Sequence, residues 1–332
     1  MILKSRAFSL ALLLAVAVMA PGVLKAQDAQ PMSETPLGGA GGAKTGGGGV
    51  TGIAPGDVGG TTTGTAGPES ATFDGTYIWV ASQFTDSVTR IRVSDGLTAG
   101  TFTVGKRPVA VLAAAGSVWV ANLLSDNVMK LDPTTGAVSA TYAAGDGPGG
   151  LAFDGTNLWI ANREGNSVTK MSTTGANLGT FAVGNRPLGV AVVGGAVFVV
   201  NNFSNSVTKL SLTGAVLGKY AVGRGPFGVA GEGENVWVTN YFDKTVTKLR
   251  AADGLNLGTF KVGDGASGVT FDGTFMWVVS NGDNNVMKLT PSTGSIVSTY
   301  ATGKGPFAVV YDGAKIWVPN FASNSISSTA AN

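Results

Sequence analysis

The chain contains no cysteine and no histidine, and charged residues make up only 13% of its 332 positions. Each shortage removes classes of function. Without Cys there is no disulfide framework, no thiol nucleophile and no Cys-ligated zinc; without His the commonest general base and the commonest transition-metal ligand are missing. A formal net charge of +2 leaves no basic stripe for neutralising phosphates, so no nucleic-acid partner is expected. There is no Walker loop, paired-carboxylate motif or calcium loop, and GDGPGG and NGDNN only superficially suggest metal or phosphate loops. The sequence therefore names no catalytic residue, no metal ligand and no cofactor. Helical periodicity with a proper cap is also lacking, which excludes helical solenoids.

Glycine is plentiful, with 51 residues, and so is repetition. The segment DGPGGLAFDGTNLWIANREGNSVTKMSTTGANLGTFAVG, residues 146–184, has close variants from about residue 67 to the end. Its anchor aromatics are Trp79, Trp119, Trp159, Phe198, Trp237, Trp277 and Trp317, at steps of 40, 40, 39, 39, 40 and 40 residues. That makes seven copies.

Within a copy, a Pro opens the first apolar run (Pro68, Pro108, Pro148, Pro187, Pro226 and Pro306, with Ala266 the exception). Proline is acceptable at the first residue of a strand, which need not donate to the ladder. A turn such as Asp74-Gly75 or Asp154-Gly155 follows, and reads as a type I′ hairpin. The next run, YIWVAS or NLWIAN, is apolar at consecutive positions, so both its faces are expected to be buried between neighbouring sheets. A third strand such as NSVTKMS and a fourth such as NLGTFAV complete the unit, the fourth carrying Phe102, Tyr142, Phe181, Tyr220, Phe260 or Tyr300. Four short strands repeating near every 40 residues predict an all-β fold, a seven-bladed β-propeller of four-stranded antiparallel blades.

The seventh copy stops before a fourth strand. Val58-Gly59-Gly60-Thr61-Thr62-Thr63 falls in step with the fourth strands, so residues 58–63 are expected to complete the last blade and lace the ring. The propeller then spans 58–332. Residues 27–57 read as a Gly-rich flexible linker. Residues 1–26, with Lys4 and Arg6 ahead of the apolar run Ala7 to Ala20, read as a secretory signal peptide and give no stable membrane span. An exported protein, periplasmic or extracellular at the cell surface, and a monomer, is the expectation.

The WVAN, SDNVMKLDPTTG and GTFAVG segments resemble the YVTN family of β-propeller repeats, and are similar to the propeller of streptogramin B (virginiamycin B) lyases. The resemblance covers essentially all of residues 67–332. For the lyases it implies a catalytic His with a nearby Glu and a Mg²⁺ ion on one face of the ring. No position here can take the His. Glu69, Glu164, Glu232 and Glu234 are the only glutamates of the propeller, and none has a partner base.

In such a blade, the lead-in loop to strand one and the loop between strands two and three share a face. The lead-in loops place Lys106, Arg107, Asp146, Asn185, Arg186, Arg224, Asp264 and Lys304 around the central mouth: five cations against two anions. They are candidate ligand-binding residues for a carboxylate, phosphate or acidic saccharide; the alternative is that they pair with one another as a solvated rim. Outside them, Phe84, Phe203, Tyr241, Phe242 and Phe321 are candidate apolar or sugar-stacking contacts; the alternative is packing of each loop on its neighbour. Asn122, Asn162, Asn201, Asn240 and Asn320 read as turn-type hydrogen bonding. Arg90, Lys130, Lys170, Lys209, Lys248 and Lys288 read as long stems over apolar surface with their charge left in water.

The functional expectation is an exported, non-catalytic module binding a ligand, an acidic saccharide, a cell-wall component or a surface protein. The alternative is a metal-dependent enzyme of the streptogramin-lyase-like propeller class.

Overall fold

The computed structural model describes residues 29–31, 33–36 and 66–331. Seven antiparallel four-stranded sheets are arranged in a ring. Blade 1 consists of Pro68–Phe73, Tyr77–Ser82, Ser87–Arg92 and Thr98–Thr103, paired in that order. Blades 2 to 5 repeat the plan, opening at Pro108, Pro148, Pro187 and Pro226. Blade 6 opens at Ala266 and ends with Ile296–Ala301. Blade 7 comprises Val310–Tyr311, Lys315–Asn320 and Ser325–Ala330. Successive first strands neighbour one another all the way round, so they form the inner wall. Among the described residues no helix is long and apolar enough to cross a membrane.

The consecutive apolar second strands are why sheets stack as blades. Ile78, Trp79, Val80 and Ala81 are all fully buried, because odd and even positions face different neighbours. Trp79 and Ala81 pack with Val111, Val118, Val120 and Leu131 of blade 2. Ile78 and Val80 pack with Trp317 and Ile326 of blade 7. The same exchange makes seven inter-blade cores, the last of which closes the ring.

The strand-one to strand-two turns differ from the type I′ expectation. The Asp74 N–H donates to the Tyr77 carbonyl, so Gly75-Thr76 is the turn centre, and only the glycine takes positive φ. That is the type II′ pattern. The aspartate is freed for other work: one oxygen accepts from the N–H groups of Thr76 and Tyr77, and the other accepts from Trp79 Nε1 at 2.6 Å. Type I′ signs occur instead at Ala115-Gly116 and Gly194-Gly195.

The strand-three cations are also corrected. Their charge is not left in water: each reaches a backbone carbonyl just past the third strand of the next blade. Lys170 Nζ donates to the Leu212 carbonyl at 2.7 Å, Lys209 to Ala252 at 2.8 Å and Lys288 to Ala331 at 2.7 Å. Lys209 and Lys288 are buried. Their ammonium groups also lie over the strand-two aromatics of their own blades.

On the opposite face a second ring of latches holds the lead-in loops. Asp86 Oδ1 accepts from the Arg107 N–H, Asn166 Oδ1 from Arg186, and Asn205 Oδ1 from Gly225. Asn324 Oδ1 accepts from the Gly67 N–H at 2.8 Å, joining blade 7 to blade 1 across 257 residues of sequence. Blade 5 departs from the rule, because Lys244 stands at this position and its ammonium goes to Asp264.

Blade 7 is completed from the N-terminal side. Ser33–Pro36 pairs antiparallel with Ser325–Ala330 as its outer strand, and Ala29–Pro31 adds parallel to Ile296–Ala301 of blade 6. Both strands fall in the stretch that composition assigns to a linker. Residues 58–63, expected in the outer place of blade 7, lie outside the described residues, as does the expected signal segment 1–26.

Candidate functional site

The loop geometry gathers the candidate residues on one face. Gln83 N–H donates to the Gly67 carbonyl and Phe84 N–H to Ala66; the matching pairs recur in all seven blades, for example Arg163 with Gly147 and Phe321 with Gly305. Lead-in loops and strand-two to strand-three loops are therefore bonded together above the inner wall. The frame repeats but the side chains on it do not, so the ring carries an asymmetric mouth.

The structure divides the sequence-predicted charges into two groups. Lys106, Arg224 and Asp264 are exposed and pair sideways: Lys106 with Asp86 at 2.6 Å, Arg224 with Asp243 at 2.6 Å, and Asp264 with Lys244 at 2.9 Å. Asp86 lies below the usual carboxylate range although burial opposes this, because bonds from Lys106 Nζ and the Arg107 N–H outweigh it. Asp146, Asn185 and Lys304 are exposed, and their bonds there are those of the backbone: the Asp146 carbonyl accepts from Glu164, and the N–H groups of Asn185 and Lys304 donate to Ser204 and Ser323.

Arg107 and Arg186 are different. Both are half-buried and left-handed, with φ of 54° and 52°, at a position where the other five blades carry glycine. Burial pulls both guanidinium groups below their ordinary values. For Arg107 Glu69 opposes this and Arg163 adds to it; for Arg186 Arg163 adds to it and Glu164 opposes it. These five side chains form one electrostatic cluster across blades 1 to 4. Within it Arg163 Nη2 meets Glu69 Oε1 at 3.4 Å, with side chains only 10% and 13% exposed. Arg107 Nε donates to Gln83 Oε1 at 2.8 Å, and the Arg186 guanidinium lies 4.7 Å from the Phe203 ring centre.

Sequence reasoning missed Glu69, Gln83 and Arg163 as members of this group. They occupy the residue after the opening Pro and the residue after the strand-two Asn or Ser, two positions that vary from blade to blade. That variation against a fixed frame was the available signal.

The other half of the mouth is aromatic. The outer-rim candidates Tyr241 and Phe242 contact each other edge-on, with ring centres 5.4 Å apart, and Tyr241 lies 6.3 Å from Phe227. Phe227 reaches Phe307 at 5.9 Å, Phe307 meets Phe321 edge-on at 5.4 Å, and Phe321 meets Phe84 at 5.4 Å. A continuous run of rings thus joins blade 5 to blade 1. Phe227 and Phe307, which sequence reasoning did not single out, follow the opening Pro of blades 5 and 7, and blade 6 between them carries the small Ser267 at that position. Phe84, Phe203 and Phe242 remain 64%, 54% and 55% exposed. Phe203 stands apart from the run, beneath Arg186.

Two buried donors at this mouth have no partner among the described residues: Gln83 Nε2 and Arg163 Nε. Their residues are 3% and 9% exposed. The carbonyl oxygens of Asn122, Asn162, Asn240 and Asn320 are also unpartnered, but they recur at one position of the repeat and belong to the frame. The amides of these asparagines donate to strand-three Ser, Thr or Asn side chains, as Asn162 does to Ser167 and Thr169 at 2.9 Å each.

The Mg²⁺ that the lyase resemblance implies does not fit this donor set. Among the described residues no three acidic side chains converge on one point, and Glu69 is engaged by Arg163. Hard cations need several oxygen ligands at once.

No family model and no curated protein matches the chain. Among solved structures, it is similar to a streptogramin B lyase at 16% identity, covering 81% of this chain and 94% of that one, with a TM-score of 0.71. A hydrazine synthase of Kuenenia stuttgartiensis is similar at 18% identity, over 81% and 97% of the two chains and a TM-score of 0.71. A catalytically inactive virginiamycin B lyase from Staphylococcus aureus, in a structure with quinupristin, matches at 17% identity over 80% and 95%, with a TM-score of 0.71. At such identities the likeness is one of fold.

Proposed function

We propose that the propeller is a non-catalytic binding module, exported to the periplasm or cell surface, that takes its ligand in the mouth. The carrying observation is the pair of buried unpartnered donors beside a net positive cluster of three arginines and two glutamates. An unpaired buried polar group costs about 1–3 kcal/mol, and an acceptor-rich ligand relieves it. Acidic saccharides, cell-wall fragments and anionic segments of a surface protein all present such acceptors. The structural neighbours lend support of a general kind, since one propeller of this shape is seen with quinupristin.

The second reading, a metal-dependent lyase-like enzyme, draws on the likeness to streptogramin B lyase. Against it stand the absent histidine and the donor set just described.

A thermal-shift screen of residues 27–332 against acidic saccharides, cell-wall fragments, divalent metals and a streptogramin separates the two, because a ligand of the folded state raises its melting temperature. The module reading expects a shift with an anionic compound, abolished by replacing Arg107 and Arg186 with Ala. A shift with Mg²⁺ accompanied by consumption of the streptogramin overturns it.

A further inference from the structure

Resting on the reading that the mouth takes a ligand, we infer the ligand's class: a small amphiphilic anion, a planar apolar ring system bearing a carboxylate or equivalent oxyanion. It sits at blade 1, where the charged and aromatic halves of the mouth meet.

Those halves touch through two adjacent residues. Gln83 belongs to the charged half through its bond from Arg107 Nε. Phe84, the next residue, ends the aromatic run on Phe321. The buried donor and the exposed ring thus come from neighbouring residues of one loop.

The polar end must accept hydrogen bonds. The one acceptor of the Gln83 amide is already taken by Arg107, and what remains is the Nε2 donor and, on Arg163, the Nε donor. A carboxylate is acceptor-only and offers about four lone-pair sites. The five charges around it sum to +1, three Arg against two Glu. A neutral hydroxyl would leave the net positive charge of the cluster unmatched.

The other end must be flat and apolar. Phe84 is exposed by 64% although it packs on Phe321, so an open ring surface remains at the residue next to Gln83. Aromatic faces and edges favour another ring in offset or edge-on contact, worth about 0.5–1.5 kcal/mol beyond area burial. A bare inorganic anion leaves that surface uncovered, and an acidic sugar covers it less completely.

The test is titration calorimetry of the full chain with 2-naphthoate, with its neutral isostere 2-naphthamide, and with acetate. Naphthoate is expected to bind at least tenfold tighter than either. Gln83→Met and the surface change Phe84→Ser are each expected to weaken naphthoate at least fivefold, Phe84→Ser serving if the buried change prevents folding. Equal affinities for acid and amide overturn the proposal, as does naphthoate binding that neither change weakens. An acidic saccharide bound at Arg107 and Arg186, with no naphthoate binding, overturns the ligand class and leaves the mouth reading standing. Absence of any mouth ligand overturns both.

Discussion

Arg107 and Arg186 each stand in a left-handed conformation that five blades give to glycine. For an L-residue this costs roughly 1–2 kcal/mol, and such strain persists only where its surroundings hold it. Here the side chains of Asp86 and Asn166 hold the two backbones. The expected outcome is that Arg107→Gly is more stable than Arg107→Ala by about 1 kcal/mol in denaturant unfolding, the backbone strain being relieved only in the first. Both variants should lose ligand affinity alike. Equal stability of the two would remove the strain argument.

Gly175 is a second residue whose identity is forced, and doubly. Its φ is +90°, and an added Cβ would lie 2.0 Å from the Tyr142 ring of the preceding blade. Gly175→Ala should cost about 2–4 kcal/mol, from left-handed strain plus overpacking. In a Tyr142→Ala background only the backbone part, about 1–2 kcal/mol, should remain. An increment that does not change between backgrounds would mean the ring is not what the glycine avoids.

Glu232 supplies a pH dependence. It replaces the turn aspartate of other blades, accepting from Asn235 at 2.9 Å and from Lys248 at 3.0 Å. Burial raises its pKa, but the bonds from Lys248, Asn235 and Trp237 outweigh burial and hold it below the ordinary 4.5. A depressed carboxylate binds fewer protons folded than unfolded, so its contribution is complete above 4.5 and is lost as pH falls through the lower folded value. The stability gap between the native chain and Glu232→Gln should therefore be widest near neutrality and close in acid. Unfolding curves at pH 7, 4 and 3 check this; a gap that widens in acid would reverse the sign.

At the scale of elements, legibility follows from burial. The second strands were readable because a segment buried on both faces must be apolar at consecutive positions, and Trp79 and its neighbours bear that out. The turn glycines and outer-strand aromatics were readable separately; their contact between blades was not, since sequence carries no inter-blade register. Lys209 and Lys288 were misread for the same reason. A lysine flanked by Thr and Leu, or by Met and Leu, looks like a surface stem until the next blade's carbonyl is placed against it. At the mouth, Arg107 and Arg186 were legible as charges in lead-in loops. Glu69, Gln83 and Arg163 were not, because their grouping brings blade 3 to blade 1 and depends on the curvature of the ring.

The whole molecule is held by closure. Without it the outer edge of blade 7 and the face of blade 1 would both be open, and exposed strand edges invite wrong pairing. Blade 1 and blade 7 share a buried core and the bond from the Gly67 N–H to Asn324, and Ser33–Pro36 fills the outer place. A chain starting at Leu37 should consequently melt a few degrees below one starting at Gln27. Identical melting temperatures would show that this strand does not contribute to closure.

Closure also fixes the mouth, since every lead-in loop on it is bonded to the loop beside it. The most direct measurement of the central claim is hydrogen exchange with and without the best ligand of the screen. The account predicts added protection confined to the mouth, around Gln83, Arg107, Arg163 and Phe321, with the Asp-Gly turns of the opposite face unchanged. Protection centred on those turns or on the outer strands would place the site elsewhere and contradict it.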